Sequence, residues 1–296
     1  MGHTFSGLHH VTATCGSAQT NHAFVTGTLG QKLVKRTVNF DAPRLYHLYY
    51  GDRIGTPGSV TTWFADPDAA PGQTGPGMAS ALAWETAPET LTLWADRLPQ
   101  ARREDRFGLP VLRAQDPDGL AVELVATPGA PEIPVRLHSV TLWVADPLPT
   151  ARFLTGVLGL TETGGEGHGF DERRRFAIGD SGQYIDLLDA PANGAGRGGA
   201  GTIHHIAFRA ESADEQMEWA DRLASAGLEP TEVRDRSYFR SIYFREPGGC
   251  LFEIATDGPG FTVDEPVGRL GEGLMLPLHH ASLRRELEES LPPLTA

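Results

Sequence analysis

Two stretches of the 296-residue chain place adjacent histidines inside apolar, strand-like runs: GLHHVTATC at 7–15 and TIHHIAFRA at 202–210. A third run, VRLHSVTLWVA at 135–145, carries one histidine. Two further runs, PDGLAVELVAT (117–127) and PGGCLFEIATD (247–257), share P-x-G-x-x-x-E without a gap and deliver Glu123 and Glu253. Neutral imidazoles and a carboxylate hold borderline divalent metal ions and leave coordination positions open, so the chemistry on offer is metal-assisted. Neighbouring strand residues point to opposite faces, which predicts that only one histidine of each pair faces a common cavity. Superposing the runs on Val11-Thr12, Val140-Thr141 and Ile206-Ala207 puts His10, Ser139 and His205 in one column. His9, His138 and His204 fall in the other.

These residues need elements to carry them, and the punctuation of the chain supplies a repeat. The first unit reads as a strand at 7–14, a helix at 17–29 and strands at 33–40, 44–51 and 58–65. The second has a strand at 78–85, a helix at 88–98 and a closing strand at 119–127. The third has a strand at 135–145, a helix at 147–158 and strands at 172–178 and 183–189. The fourth has a strand at 202–209, a helix at 212–227 and strands at 230–235, 238–245 and 249–256. T-G-x-L-G recurs at 26–30 and 155–159, each time at a helix end where glycine supplies a left-handed cap. Four such βαβββ modules give an α+β chain whose sheets curl around cavities. The expected domains are 1–130 (modules 1 and 2) and 131–262 (modules 3 and 4), followed by a tail at 263–296.

A formal net charge of -13 argues against nucleic acid or an anionic membrane surface as a partner. No apolar run reaches the ~20 residues that span a bilayer, and the first residues lack the pattern of a signal peptide. Two cysteines make no disulfide framework, so the expected location is the cytoplasm. A homo-oligomer is compatible with all of this.

The modules, with the fragments GLHHVTA, QKLVKRTVNFD, YHLYYGD, GTPGSVTTWF, GTIHHIAFRA, VRDRSYFRSIYFREPGG, LFEIATDGPGF and GEGLMLPLHH, resemble the vicinal oxygen chelate superfamily over nearly the whole chain. That superfamily holds glyoxalases, bleomycin-resistance proteins and type I extradiol dioxygenases; within it the chain is most similar to ring-cleaving dioxygenases of the hydroquinone type. The resemblance implies a metal site drawn from four slots, two on opening and two on closing strands of paired modules. Pairing module 1 with 4 fills them with His10, Trp63, His205 and Glu253. Modules 3 and 4 would give Ser139, His205 and Glu253, modules 1 and 2 only His10 and Glu123, and modules 2 and 3 Ala81, Glu123 and Ser139. The expected fold therefore pairs module 1 with 4 and module 2 with 3, in two curled-sheet barrels, with His10, His205 and Glu253 as metal ligands.

The resemblance further implies Fe(II) at this site, with Mn(II) suited to the same ligands, and a small aromatic diol and O2 as reactants. A hydroquinone is the first choice of substrate and a catechol the second. Tyr243, Arg236 and His204 are the expected catalytic residues: a hydrogen-bond donor, a positive charge and an acid–base group beside a ligand. A glyoxalase-like isomerase is disfavoured by Trp63 in the fourth slot, and a ligand-sequestering protein of the bleomycin-resistance kind by the complete ligand set. His22, His47, His138 and His168 read as ordinary packing residues, His279-His280 as surface or partner-packing, and Glu123 as a paired remnant of a lost site.

Overall fold

The computed structural model describes residues 4–98, 100–167, 172–189 and 194–295; His168 lies outside them. Module 1 comprises β1 (Leu8–Cys15), α1 (Ala18–His22), β2 (Lys32–Val38), β3 (Tyr46–Gly51) and β4 (Val60–Ala65). Module 2 comprises β5 (Met78–Thr86), α2 (Leu91–Arg97), β6 (Arg102–Arg106), β7 (Leu109–Gln115) and β8 (Ala121–Ala126). Module 3 comprises β9 (Leu137–Val144), α3 (Pro147–Gly156), β10 (Thr161–Glu166), β11 (Arg173–Ala177) and β12 (Tyr184–Asp189). Module 4 comprises β13 (Thr202–Ala210), α4 (Ala213–Ser225), β14 (Arg234–Asp235), β15 (Arg240–Arg245) and β16 (Leu251–Thr256), and a last helix, α5, spans Arg284–Ser290.

The strands form two curled eight-stranded sheets, ordered β14-β15-β16-β13-β1-β4-β3-β2 and β10-β11-β12-β9-β5-β8-β7-β6. Modules 1 and 4 thus share one barrel and modules 2 and 3 the other. The strands β6, β7 and β10 carry no signal in the linear reading. For β6 (RREDR) and β10 (TETGGE) the cause is position: both are sheet edges, largely exposed, so no alternation of apolar residues is needed.

Period-two alternation divides the side chains of the first sheet between two environments. On the convex face Val11, Trp63, Ile206, Phe208, Phe252 and Ile254 join the main apolar core. That core includes Trp219 of α4, stacked on Phe5 at 3.9 Å, and α4 is capped by Ser212, whose hydroxyl accepts from Glu215 N. The concave face carries His10, Thr12, Thr62, His205 and Glu253, with a smaller cluster that includes Val34, Tyr49, Tyr238, Phe239 and Ala255. Phe261 and Leu270 complete that cluster from beyond β16. The tail is fastened there by Lys35, fully buried on β2, which donates to Asp264 and Glu265 at 2.5 Å each. It runs on alongside β2, with Met275 N donating to Arg36 O at 2.9 Å. Gly271, at φ +83°, sits so close to the Leu33 carbonyl that a Cβ would collide with it.

Candidate metal centre

At the centre of the first sheet β1 and β13 run antiparallel, with His10 opposite Ala207 and Thr12 opposite His205. Each strand carries a bulge one residue before the candidate ligand. The ladder steps from Leu8↔Phe208 to His10↔Ala207, leaving His9 unpaired, and from Thr12↔His205 to Ala13↔Ile203, leaving His204 unpaired. The second sheet repeats the device at Ser80 and His138. A bulge bends its strand and re-aims the extra side chain. The expectation that the two histidines of a pair point to opposite faces is thereby corrected: they lie against one another, His9 Nδ1 2.8 Å from His10 Nδ1 and His204 Nδ1 2.8 Å from His205 Nδ1.

This contact orients the inner ring. Burial, reinforced by His10, lowers the pKa of His9 to about 3, so it is neutral at ordinary pH. Its Nδ1 is taken up by the contact with His10 Nδ1, which leaves Nε2 as the place for its one proton. In that tautomer His9 Nδ1 accepts from His10 Nδ1–H, and the lone pair of His10 Nε2 is left facing inward. A partner on the far nitrogen is the support that metal-binding histidines characteristically have.

Three atoms converge inside. His10 Nε2 lies 3.3 Å from His205 Nε2 and 3.4 Å from Glu253 Oε2, and His205 Nε2 lies 2.8 Å from the same oxygen. These three residues form a group able to hold a metal ion among the described residues. Glu253 is wholly buried; Oε1 accepts from Ser241 Oγ at 2.5 Å, while Oε2 meets only the two imidazole nitrogens. Burial opposes its charge, but His10 and His205 outweigh burial and hold the carboxyl well below the usual range. A buried carboxylate oxygen that meets only two inward imidazole nitrogens is the donor set that a borderline divalent ion completes.

The fourth slot differs from its sequence assignment. Ala207↔Glu253 and Ala83↔Glu123 define the slot two residues beyond the column of His10 and His205, and the same count on β1 gives Thr12↔Thr62. Trp63 instead points into the convex core. On β9 the count reaches Asp186, opposite Thr141. The second barrel therefore holds Ala81, Glu123, Ser139 and Asp186 in its slots, and arginines neutralise its carboxylates. Arg106 bonds Glu123 at 2.5 Å, and Arg175 makes a two-pronged contact with Asp186 at 2.7 and 2.8 Å. Glu123 is thus paired, as expected.

Above the three converging atoms opens a cavity of about 230 Å³. Phe40, Phe64 and Phe239 supply aromatic walls, with Phe239 5.0 Å from both His9 and His10. Tyr243, Arg236 and His204 all line it. Tyr243 pairs with Glu253 across β15 and β16, and its ring centre lies 5.6 Å from that of His205, edge to face. Burial and the Glu253 charge raise its pKa, so the hydroxyl keeps its proton, and Arg236 Nε donates to it at 3.2 Å. Arg236 also reaches Asp41 at the mouth, 3.4 Å away. His204 has its pKa lowered to about 4 by its protein surroundings and by His205, although part of it meets solvent. It also borders a wider cleft of about 540 Å³ lined by glycines, among them Gly77, Gly198 and Gly249.

Sequence reasoning passed over the lining residues Asn39, Phe40, Asp41, Phe64 and Phe239, and His47 and Tyr49 on β3. The signal for the last two was the alternation of YHLYY, which sends Tyr46, Leu48 and Tyr50 to the convex core and His47 and Tyr49 to the concave side. His138 stays a packing residue, its Nδ1 3.0 Å from Ser139 Oγ, and His22 approaches Tyr50 Oη at 3.4 Å. His280 Nε2 lies 2.9 Å from the Phe40 carbonyl, and the exposed His279 packs edge-on against the Phe40 ring.

Residues 136–254 match the family model described as the Glyoxalase/Bleomycin resistance protein/Dioxygenase superfamily. The chain is 40% identical over 303 residues to "Putative ring-cleaving dioxygenase MhqO" of Bacillus subtilis (strain 168), covering 97% of this chain and 96% of that protein. It is 34% identical over 295 residues to "Chlorohydroquinone/hydroquinone 1,2-dioxygenase" of Sphingobium indicum, covering 90% and 89%. A crystal structure of a dioxygenase, itself described as putative, from Bacillus subtilis superposes with a TM-score of 0.91 at 38% identity over 99% of both chains. Glyoxalase I from Zea mays superposes at 0.64 with 16% identity, over 85% of this chain and 92% of that one, a likeness of fold alone.

Proposed function

The chain belongs to the glyoxalase/bleomycin resistance protein/dioxygenase superfamily, and we propose that within it this protein is a ring-cleaving dioxygenase that opens a hydroquinone with O2 next to a hydroxyl-bearing carbon. The observation that carries this reading is the convergence of His10 Nε2, His205 Nε2 and Glu253 Oε2 on the floor of an aromatic-walled cavity with room for one substituted ring. His10, His205 and Glu253 would hold Fe(II), with Mn(II) suited to the same ligands, and the ion would supply the electron conduit that O2 chemistry needs. The chain's own residues do the rest. Tyr243 offers a protonated hydroxyl to a developing oxyanion, and Arg236 behind it offsets negative charge. His204 fixes the ring of His205 and borders both the cavity and the glycine-lined cleft, placing an acid–base group at the edge of the site. Phe40, Phe64 and Phe239 hold the ring and keep bulk water from it. Two buried free cysteines and the absence of any described helix long and apolar enough to cross a membrane fit a cytoplasmic enzyme.

The test is oxygen uptake by protein loaded anaerobically with Fe(II). We expect uptake with hydroquinones near one O2 per ring. Rapid uptake with catechols and none with any hydroquinone would overturn the substrate. No uptake with either would favour a sequestering protein.

A further inference from the structure

Resting on the reading above, we propose that Tyr49 receives the second hydroxyl of a para-diol, and that a hydrogen-bonded chain through His47 and Thr62 to Thr12 holds it ready to do so. Tyr49 Oη lies 2.9 Å from His47 Nδ1, His47 Nε2 lies 2.8 Å from Thr62 Oγ1, and Thr62 Oγ1 lies 2.9 Å from Thr12 Oγ1. All four residues are buried, from 0% to 9% exposed.

Hydrogen counting makes this chain informative. Burial, with His10 and His205 nearby, pushes the pKa of His47 well below its ordinary value, so its ring carries one N–H. The two threonines and Tyr49 bring one O–H each. Four hydrogens then serve three links, so one is left over at an end of the chain. If the chain points outward, Thr12 donates to Thr62, Thr62 to His47 Nε2, and His47 Nδ1–H to Tyr49, whose own O–H is free for the cavity. Reversed, Tyr49 donates to His47 and its oxygen can accept from a ligand hydroxyl. Tyr49 can therefore present either a donor or an acceptor without moving a heavy atom.

Position favours it over His47, Arg236 and Asp41. Thr62 occupies the fourth slot, so the chain starts beside the converging ligand atoms and ends at Tyr49 on the cavity wall. Tyr49's ionisation is opposed by burial and by Tyr243 and Glu253 and eased by Arg236, as expected of a hydroxyl that shares the cavity with those groups. Both nitrogens of His47 are occupied, Arg236 Nε is engaged with Tyr243, and Asp41 lies largely in solvent. Behind Tyr49 stand Phe261, at 5.2 Å, and Tyr238, at 6.1 Å, so its ring has no room to withdraw. A catechol places both oxygens on one side of the ring and can spend them on the metal, whereas a para-diol always has one oxygen left for the protein.

The experiment compares hydroquinone with phenol, which lacks the second hydroxyl, by calorimetric titration of anaerobic Fe(II)-loaded protein, with metal content measured alongside. Wild-type protein should bind hydroquinone more tightly than phenol. Tyr49→Phe should weaken hydroquinone about 3- to 10-fold, the worth of one hydrogen bond, and leave phenol and metal content unchanged. His47→Gln, which removes the support and not the contact, should reproduce part of that loss. Equal weakening of both ligands in Tyr49→Phe, or a hydroquinone-to-phenol ratio that stays at the wild-type value, would overturn the assignment. So would equal affinities in wild-type protein; in that case oxygen uptake with hydroquinone shows whether the dioxygenase reading survives without it.

Discussion

His9 and His204 are each the extra residue of a β-bulge, and that fact gives both histidine pairs their meaning: one ring faces inward and the other steadies it. The column of His10 and His205 was legible from strand superposition. The bulge was not, because it depends on a ladder between strands whose facing histidines are 195 residues apart. Trp63 shows the same limit. Counting six residues on from Pro117 and Pro247 reaches Glu123 and Glu253, but after Pro57 the slot falls one residue earlier, and a one-residue slip exchanges the two faces of a strand. Metal analysis of purified variants tests the residue assignments. His10→Ala and His205→Ala should emerge without metal, while His138→Ala and Glu123→Gln stay loaded. Glu123→Gln should nonetheless lose about 3 kcal/mol of stability in denaturant titration, because Arg106 is left buried beside a neutral amide. A metal-free Glu123→Gln that is still folded would place the ion in the other barrel.

Among the elements, the opening and closing strands announced themselves through repeated motifs, whereas the edge strands and the tail did not. An edge strand such as β6 needs only backbone pairing on one side, so RREDR reads as loop. The tail's role hinges on single residues: Phe261 and Leu270 enter the concave cluster, and Lys35 closes over Asp264 and Glu265. A lysine at 0% exposure held by two carboxylates is costly to strip of its partners or to remove from them. Lys35→Met should cost about 3–5 kcal/mol, read from the denaturant midpoint, since it leaves Glu265 buried with only the Gly271 and Gly273 amides. Trypsin should then cut faster at Arg269, Arg284 and Arg285. An unchanged cleavage pattern in the folded variant would show that the tail is held by its apolar contacts alone.

For the whole molecule, buried neutral histidines set the response to acid. His9 and His138 have their pKa values lowered to about 3, in each case first by burial. In the unfolded chain each takes up a proton as pH falls through about 6.5, whereas the folded chain refuses it until its own lower value. The unfolded state binds more protons in that window, so stability falls as pH drops from 6.5 towards 4, by up to about 1.4 kcal/mol per pH unit for each group. Denaturant titrations of metal-free protein should show this slope, and His138→Gln, remote from the candidate metal centre, should reduce it by one proton's share. An unchanged slope would mean that His138 titrates normally. The nesting of the modules, 2 with 3 inside 1 with 4, also sets a calendar for synthesis. The inner barrel has all its strands once residue 189 has left the ribosome, but β1 must wait for β13 and β16, until residue 256. During that interval the nascent chain displays half a barrel with His10 and no Glu253. The candidate metal pocket is assembled only after the inner barrel has all its strands, and a chain that stops short of β16 carries a finished inner barrel beside an open outer one.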